Sequence, residues 1–152
     1  MTWQRGKSEV EGLIDQGEIE RVPPSDQLAE RLLTEAQRHL AAATDIADQD
    51  PTGSFQLAYD AARKACSAPL AVQGLRPTTR RGHVAVEDVV RAQFDGDFHH
   101  FQRLRRKRRD SEYPDVGSPT TTVDDARDAS ATAEKILGAA RRLMDSGQLD
   151  RF

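Results

Sequence analysis

Apolar residues recur every three or four positions along most of the chain, which is the period of an amphipathic helix. One stripe runs from residue 28 to about 47, a second from 55 to 72, and a third from 126 to 144. Shorter stripes cover residues 86–94 and 98–104. No segment alternates apolar and polar residues over the length of a strand, so we expect helices and no convincing β-strand.

Residues with special backbone or capping properties mark the ends of these stripes. Ser25 is a natural N-cap, and Pro51 follows an aspartate at the first position of a helix, where its missing N–H costs nothing. Thr122, with Asp125 three positions later, resembles a capping box. Gly147 is placed to end the last helix.

Two regions of the pattern are irregular. Pro69 lies inside the second stripe, where it should kink the helix or disturb its last turn before Gly74. Residues 75–82, LRPTTRRG, form the clearest loop. Before the first long stripe, residues 8–16 predict a short helix that folds onto the body as a strap and ends before Pro23 and Pro24.

These elements predict an all-α protein, an antiparallel four- to five-helix bundle with a short N-terminal helical strap. We expect a strap over residues 1–24, the bundle over 25–147 and a C-terminal tail over 148–152. A length of 152 residues is enough for one continuous core and too short for two independent cores.

Composition and charge narrow the function classes. A formal net charge of -3 argues against a protein that coats nucleic acid unspecifically, because such proteins carry a net basic domain. The single cysteine, Cys66, cannot form an internal disulfide and fits a reducing compartment. We find no apolar run of signal-peptide or membrane-spanning length, so we expect a cytoplasmic protein without a membrane partner.

The positive charge is concentrated near the end of the penultimate predicted helix, which we place at residues 97–113. Six of the seven residues from 103 to 109 are Arg or Lys. On a helical wheel, Phe94, Phe98, Phe101 and Leu104 share one apolar sector, which continues onto Arg108 and then Glu112. Arg105 lies at the edge of that sector. A core stripe therefore ends in a charged pair at i, i+4.

Two interpretations of this pair remain open. In the first, Arg108 and Glu112 form a solvated salt bridge at the end of the bundle, where basic residues also favour the helix C-terminus. In the second, Arg108 binds phosphate in a cleft, because a guanidinium stays charged and can donate two parallel hydrogen bonds to phosphate oxygens. The surrounding arginines would then attract RNA independently of its sequence; they are Arg103, Arg105, Arg106 and Arg109.

Three stretches resemble the HEPN superfamily, the higher-eukaryote and prokaryote nucleotide-binding helical bundles. Residues 55–65, FQLAYDAARKA, look like the Ala/Tyr-rich helix of bacterial members. Residues 73–77, QGLRP, followed by Gly82 and His83, look like their connecting loop, and residues 108–115, RRDSEYPD, like the polar end of their fourth helix. The resemblance covers about residues 25–144.

The resemblance implies a homodimer in which two motif helices meet over a cleft. Many HEPN proteins are metal-independent ribonucleases that use an Arg followed, after four to six residues, by a His. Several are toxins encoded beside a small nucleotidyltransferase, which would be a cognate partner here. The resemblance makes Arg108, Glu112 and Tyr113 the candidate catalytic residues.

The chain departs from the family pattern at the histidine. No His follows the basic run; the four histidines are His39, His83, His99 and His100. Glu112 and Tyr113 stand where the His is expected. A carboxylate beside an arginine has a lowered pKa and is a poor base at neutral pH, and a tyrosine titrates too high. Strong ribonuclease activity is therefore not expected.

Other constellations are weaker. His99 and His100 are adjacent and point to different sides of a helix, so we expect no metal site. His83 can be a helix-start residue or reach the cleft, and we favour a structural role. Tyr59 and Asp60 are the polar residues of the second long helix that best fit a position facing the motif helix. There is no phosphate-binding glycine loop, and we expect no cofactor.

We therefore expect a HEPN-like bundle that interacts with nucleotides or RNA, as a component of a toxin–antitoxin or defence system, with Arg108 as its phosphate anchor. The first alternative is a catalytically silent protein-interaction scaffold. The second is a metal-independent ribonuclease that works without the motif His.

Overall fold

Two long antiparallel helices form the centre of the fold in the computed structural model, which describes residues 3–152. The elements, in chain order, are α1 (Lys7–Asp15), β1 (Ile19–Arg21), α2 (Asp26–Ile46), α3 (Pro51–Gln73), β2 (Leu75–Pro77), α4 (His83–Gln93), a 3₁₀ turn (Gly96–His100), α5 (Phe101–Glu112) and α6 (Val123–Asp145). Helix α3 packs against both α2 and α6. The expected all-α bundle is confirmed.

The predicted caps fix the starts of the long helices. The Ser25 side chain accepts a hydrogen bond from the Leu28 N–H at the start of α2. Thr122 and Asp125 form a reciprocal capping box at the start of α6, with both hydrogen bonds 3.0 Å long. These bonds satisfy N–H groups that have no partner inside the helix.

Small side chains let α3 lie close to its neighbours. Many of its buried positions are alanine; they are Ala58, Ala61, Ala62, Ala65 and Ala68. Larger side chains fill the remaining space, with Tyr59 the largest fully buried one. Helix α3 continues through Pro69 to Gln73, and Gly74 ends it with a φ of 80°.

The expectation that the chain contains no strand is wrong. Residues Leu75–Pro77, predicted as loop, pair in antiparallel register with Ile19–Arg21, so that Ile19 lies opposite Pro77. The ladder spans three residues on each side, too short for an alternating pattern to be visible in the sequence. Its partners are also far apart in the chain, and only the tertiary fold brings them together.

The N-terminal strap is held by buried apolar residues and by the C-terminal tail. Val10 of α1 and Ile19 of β1 are both at most 1% exposed. The Trp3 N–H donates to the Arg151 carbonyl at 2.8 Å, and the Phe152 N–H donates to the Gln73 carbonyl at 3.0 Å. The predicted strap also includes residues 1 and 2, which lie outside the described residues.

The segment predicted as one helix over residues 97–113 is divided. Phe94 ends α4 in an extended conformation, Gly96 has a φ of 69°, and a 3₁₀ turn leads into α5 at Phe101. The aromatic residues are nevertheless buried as the wheel predicted, since Phe94, Phe98 and Phe101 are at most 4% exposed. A buried pair of reciprocal amide hydrogen bonds between Gln73 and Gln93, 2.7 and 2.9 Å long, ties α4 to α3.

Among residues 3–152, no helix combines the length and the apolar character that crossing a bilayer requires.

Candidate nucleotide-interacting site

Helix α5 buries one side against α3 and α4 and exposes Arg103, Arg106 and Arg109 on the other. Phe101 and Leu104 are 1% exposed, and Arg105 and Arg108 follow them on the inner side of the helix. Glu87 of α4 is buried and pairs with Arg105 through a short hydrogen bond. Because Arg105 is engaged in this interhelical ion pair, it helps to hold α5 in position.

Arg108 lies over the ring of Tyr59. Its guanidinium carbon is 4.9 Å from the ring centroid, within the range of a cation–π interaction. One terminal nitrogen donates to Glu112 at 2.7 Å, so the i, i+4 pair expected from the wheel is formed. The Nε atom of Arg108 is buried and makes no hydrogen bond within the described residues. The side chain is 28% exposed, so solvent reaches part of the guanidinium.

Tyr59 connects three helices at this site. Its ring stacks on Phe101 of α5 with centroids 5.6 Å apart, and its hydroxyl lies 2.5 Å from Nδ1 of His83 at the start of α4. Burial raises the pKa of the Tyr59 hydroxyl, so it stays protonated at any physiological pH. Tyr59 therefore faces the motif helix and is one of the two polar residues of the second long helix for which the sequence suggested this position.

His83 is the histidine that the structure brings to Arg108. Burial, together with the positive charges of Arg63 and Arg108, lowers its pKa from the usual 6.5 to about 4. The imidazole is therefore neutral at neutral pH. The signal for this position in the sequence is weak, because His83 is separated from the basic run by the whole of α4.

Arg63 is a site residue that sequence reasoning missed. It lies one turn after Tyr59 on α3, and its Nε is 3.7 Å from a carboxylate oxygen of Asp60. Like that of Arg108, this Nε is buried without a hydrogen bond inside the described part of the chain. An arginine four positions after a buried aromatic residue was a usable signal, but only the packing of α3 against α5 makes it meaningful.

The remaining predicted residues are spread over two surfaces. Arg103, Arg106 and Arg109 are exposed on α5. Tyr113 is 79% exposed and lines, with Lys107 and Asp110, a depression of about 380 Å³ that does not include Arg108. Of the three candidate catalytic residues, the structure thus brings Arg108 and Glu112 into contact and leaves Tyr113 on a neighbouring surface.

A second polar cluster lies between α2 and α3. The Lys64 ammonium contacts both Glu35 and His39 at 2.8 Å. Hydrogen bonds from Lys64 and Arg31 lower the pKa of Glu35 to about 2, and burial lowers the pKa of His39. In residues 3–152 no group of three or more His, Cys, Asp or Glu side chains is placed to hold a metal ion.

The family follows from a comparison with known domains. The family model of the HEPN domain matches residues 29–143, about three quarters of the chain. The chain belongs to the HEPN family. The match runs from α2 to the end of α6 and so includes every residue of the site around Tyr59. No curated protein and no solved structure matches the chain.

HEPN membership makes the bundle a nucleotide- or RNA-related domain. In this HEPN chain the motif histidine is absent from the end of α5, and the imidazole that contacts Tyr59 together with Arg108 comes instead from the start of α4.

Proposed function

We propose that this HEPN protein binds the phosphate groups of a nucleotide or RNA through Arg108, as a dimeric component of a toxin–antitoxin or defence system. The observation that carries the proposal is the arrangement of Arg108. Its guanidinium is held over Tyr59, is partly open to solvent and has a buried Nε without a hydrogen bond in the described residues. A charged, preoriented fork of this kind suits a phosphate oxyanion.

The surface around Arg108 supports the same ligand. Arg103, Arg106 and Arg109 are exposed on α5 and would contact neighbouring phosphates without reading sequence. Glu112 orients the guanidinium of Arg108 when no ligand is bound. Tyr113 has an exposed ring beside the helix end, on which a base can stack. The protein partner we propose is a nucleotidyltransferase-type chain, as the family resemblance implies.

The test is RNA binding by purified protein, measured by fluorescence anisotropy with a labelled single-stranded RNA. We expect Arg108→Ala to weaken binding about 10- to 100-fold, because a charge-assisted contact contributes about 1.5–3 kcal/mol. Arg127→Ala is the matched control, since it removes the same charge from an exposed pair with Asp48. Equal binding by Arg108→Ala and wild type, with both folded, would contradict the site.

Cleavage of the same RNA is a second candidate function, favoured by one observation: the neutral imidazole of His83 contacts the hydroxyl of Tyr59, whose ring Arg108 overlies. A neutral imidazole can accept the proton of a ribose 2′-hydroxyl as that oxygen attacks phosphorus, while the arginine stabilises the phosphorane charge. The P–O5′ bond then breaks, and the imidazolium returns its proton to the leaving 5′-oxygen. The low pKa of His83 makes it a weak base, so any cleavage would be slow.

A catalytically silent scaffold is the alternative, favoured by the carboxylates that pair with Arg63, Arg105 and Arg108.

A further inference from the structure

Three nitrogen-bearing side chains from three helices converge on Tyr59. Arg108 of α5 lies over the ring, and His83 of α4 contacts the hydroxyl. Arg63 of α3 is close enough for its charge to act on both Tyr59 and His83, as the charge of Arg108 does. Their helices are fixed by buried contacts, so the three groups are held together without a ligand.

Hydrogen-bonding capacity at this cluster is left unused. Within the described residues, the Nε atoms of Arg63 and Arg108 are buried and donate no hydrogen bond. Burying such a donor without a partner costs free energy. Nδ1 of His83 is occupied by Tyr59, which leaves Nε2 as the nitrogen that can face a ligand.

The carboxylates at the cluster differ in how easily a ligand could displace them. Asp60 and Glu112, which pair with Arg63 and Arg108, have side chains 43% and 30% exposed and can turn into solvent. Glu87, which pairs with Arg105, is 3% exposed and is fixed in the core. An anion can therefore displace the carboxylates that pair with Arg63 and Arg108, whereas Arg105 stays paired with Glu87.

Neutralising these two cations changes the charge state that His83 prefers. Burial and the charges of Arg63, Arg108 and Arg105 disfavour the imidazolium, whereas Asp60 favours it. A phosphate group between the arginines would remove their repulsion and would itself attract a protonated imidazole. Binding of the anion and uptake of a proton at His83 would then favour each other, as thermodynamic linkage requires.

We infer that Arg63, Arg108 and His83 form one binding site for a phosphate group and that binding is coupled to protonation of His83. The inference rests on the proposed function for the ligand class. It adds Arg63 and His83 as binding residues beside Arg108, and it adds the uptake of a proton by His83. Glu112 and Asp60 occupy the two guanidinium groups until the anion takes their place.

The first test uses sulfate as the probe, because its charge is constant between pH 5 and 8 whereas that of a phosphate monoester is not. If the bound state restores the pKa of His83 to its usual 6.5, sulfate affinity measured by calorimetry rises about tenfold from pH 7.5 to pH 5.5. His83→Gln should reduce this change to below about twofold, because Gln can still bond to Tyr59 but does not titrate in this range.

The matched control is His100→Gln, which removes an exposed histidine outside the cluster. It should keep the wild-type pH dependence. Arg63→Ala should weaken sulfate binding about tenfold at both pH values, the loss of one charge-assisted contact. Side-chain NMR of His83 in the unaltered protein gives a result that needs no variant: its pKa should rise on adding sulfate.

A pH dependence that survives His83→Gln, or a His83 pKa that sulfate leaves unchanged, would overturn the inference.

Thymidine 5′-monophosphate and thymidylyl-thymidine, tested at pH 7.5, distinguish a terminal phosphate from a phosphodiester as the preferred source. The two proposals fail separately. If Arg108→Ala loses RNA binding but Arg63→Ala binds sulfate as the wild type does, the proposed function stands and the three-residue site does not. If sulfate binding is proton-linked but Arg108→Ala binds RNA as the wild type does, the three-residue site stands and the proposed function does not.

Discussion

Tyr59 organises the site because each part of its side chain has a different partner. One face of the ring stacks on Phe101, the guanidinium of Arg108 lies against the ring, and the hydroxyl reaches His83. A buried aromatic ring with a hydroxyl at its tip can pack in an apolar core and still orient polar groups at its edge. The position of Arg108 is thus set by a core residue as well as by its pairing with Glu112.

Glu87 is the buried charge whose loss should be felt most. It is 2% exposed and its partner Arg105 is itself partly buried. We expect Glu87→Gln to lower the free energy of unfolding by about 2–3 kcal/mol, because it leaves the charge of the partly buried Arg105 without its counter-ion. Urea denaturation monitored by circular dichroism measures the change.

The control for Glu87→Gln is again Arg127→Ala, since Arg127 and Asp48 are 61% and 74% exposed. An exposed pair contributes little, so this variant should lose less than about 1 kcal/mol. Similar losses for the two variants would show that the Glu87–Arg105 pair is not a structural anchor of α5.

At the scale of elements, the two-stranded sheet attaches the strap to the turn between α3 and α4. Ile19 of β1 is 1% exposed and belongs to the core, and Glu20 of the same strand pairs with Arg76 of β2. The sheet therefore lies on the same stretch of chain that leads from α3 to His83. Its stability bears on how firmly the start of α4 is held.

We expect Ile19→Ala to lower the free energy of unfolding by about 2–4 kcal/mol, because it removes buried methyl groups and leaves a cavity. Thermal and urea denaturation measure this loss. Leu28→Ala provides the comparison: Leu28 is 41% exposed, and its truncation should cost less than about 1 kcal/mol. If Ile19→Ala were equally mild, the strap would not be an integral part of the core.

At the scale of the whole molecule, the proposed homodimer would bring two α5 helices together. Among the described residues, large apolar side chains are exposed at three positions: Leu28, Tyr113 and Val116. Two of them, Tyr113 and Val116, directly follow α5. An interface between the ends of two α5 helices would bury both.

Multi-angle light scattering tests the dimer. We expect wild-type protein to have twice the 16.9 kDa mass of one chain. Val116→Asp should shift the equilibrium towards the monomer, because it places a charge in an apolar interface. Leu28→Asp changes charge equally at a position far from α5 in the sequence and should remain dimeric. A wild-type protein that is monomeric at high concentration would contradict a cleft shared between subunits.

Several features of the site could be predicted from the sequence and others could not. The i, i+4 pair of Arg108 and Glu112 follows from the helical period, and Tyr59 was one of two polar residues of the second long helix expected to face the motif helix. Arg63 and His83 could not be assigned, because their importance depends on which helix packs against which. The engagement of Arg105 by Glu87 was hidden for the same reason, since two helices must meet before a buried carboxylate can select one arginine from a basic run.

The sequence by itself determined the helices, their caps and the all-α class, because helical period, N-cap hydrogen bonds and helix-ending glycines act over a few neighbouring residues. Tertiary structure decided the short sheet between β1 and β2 and the contacts of His83 and Arg108 with Tyr59. Both depend on contacts between segments distant in the chain, which form only when the core has packed.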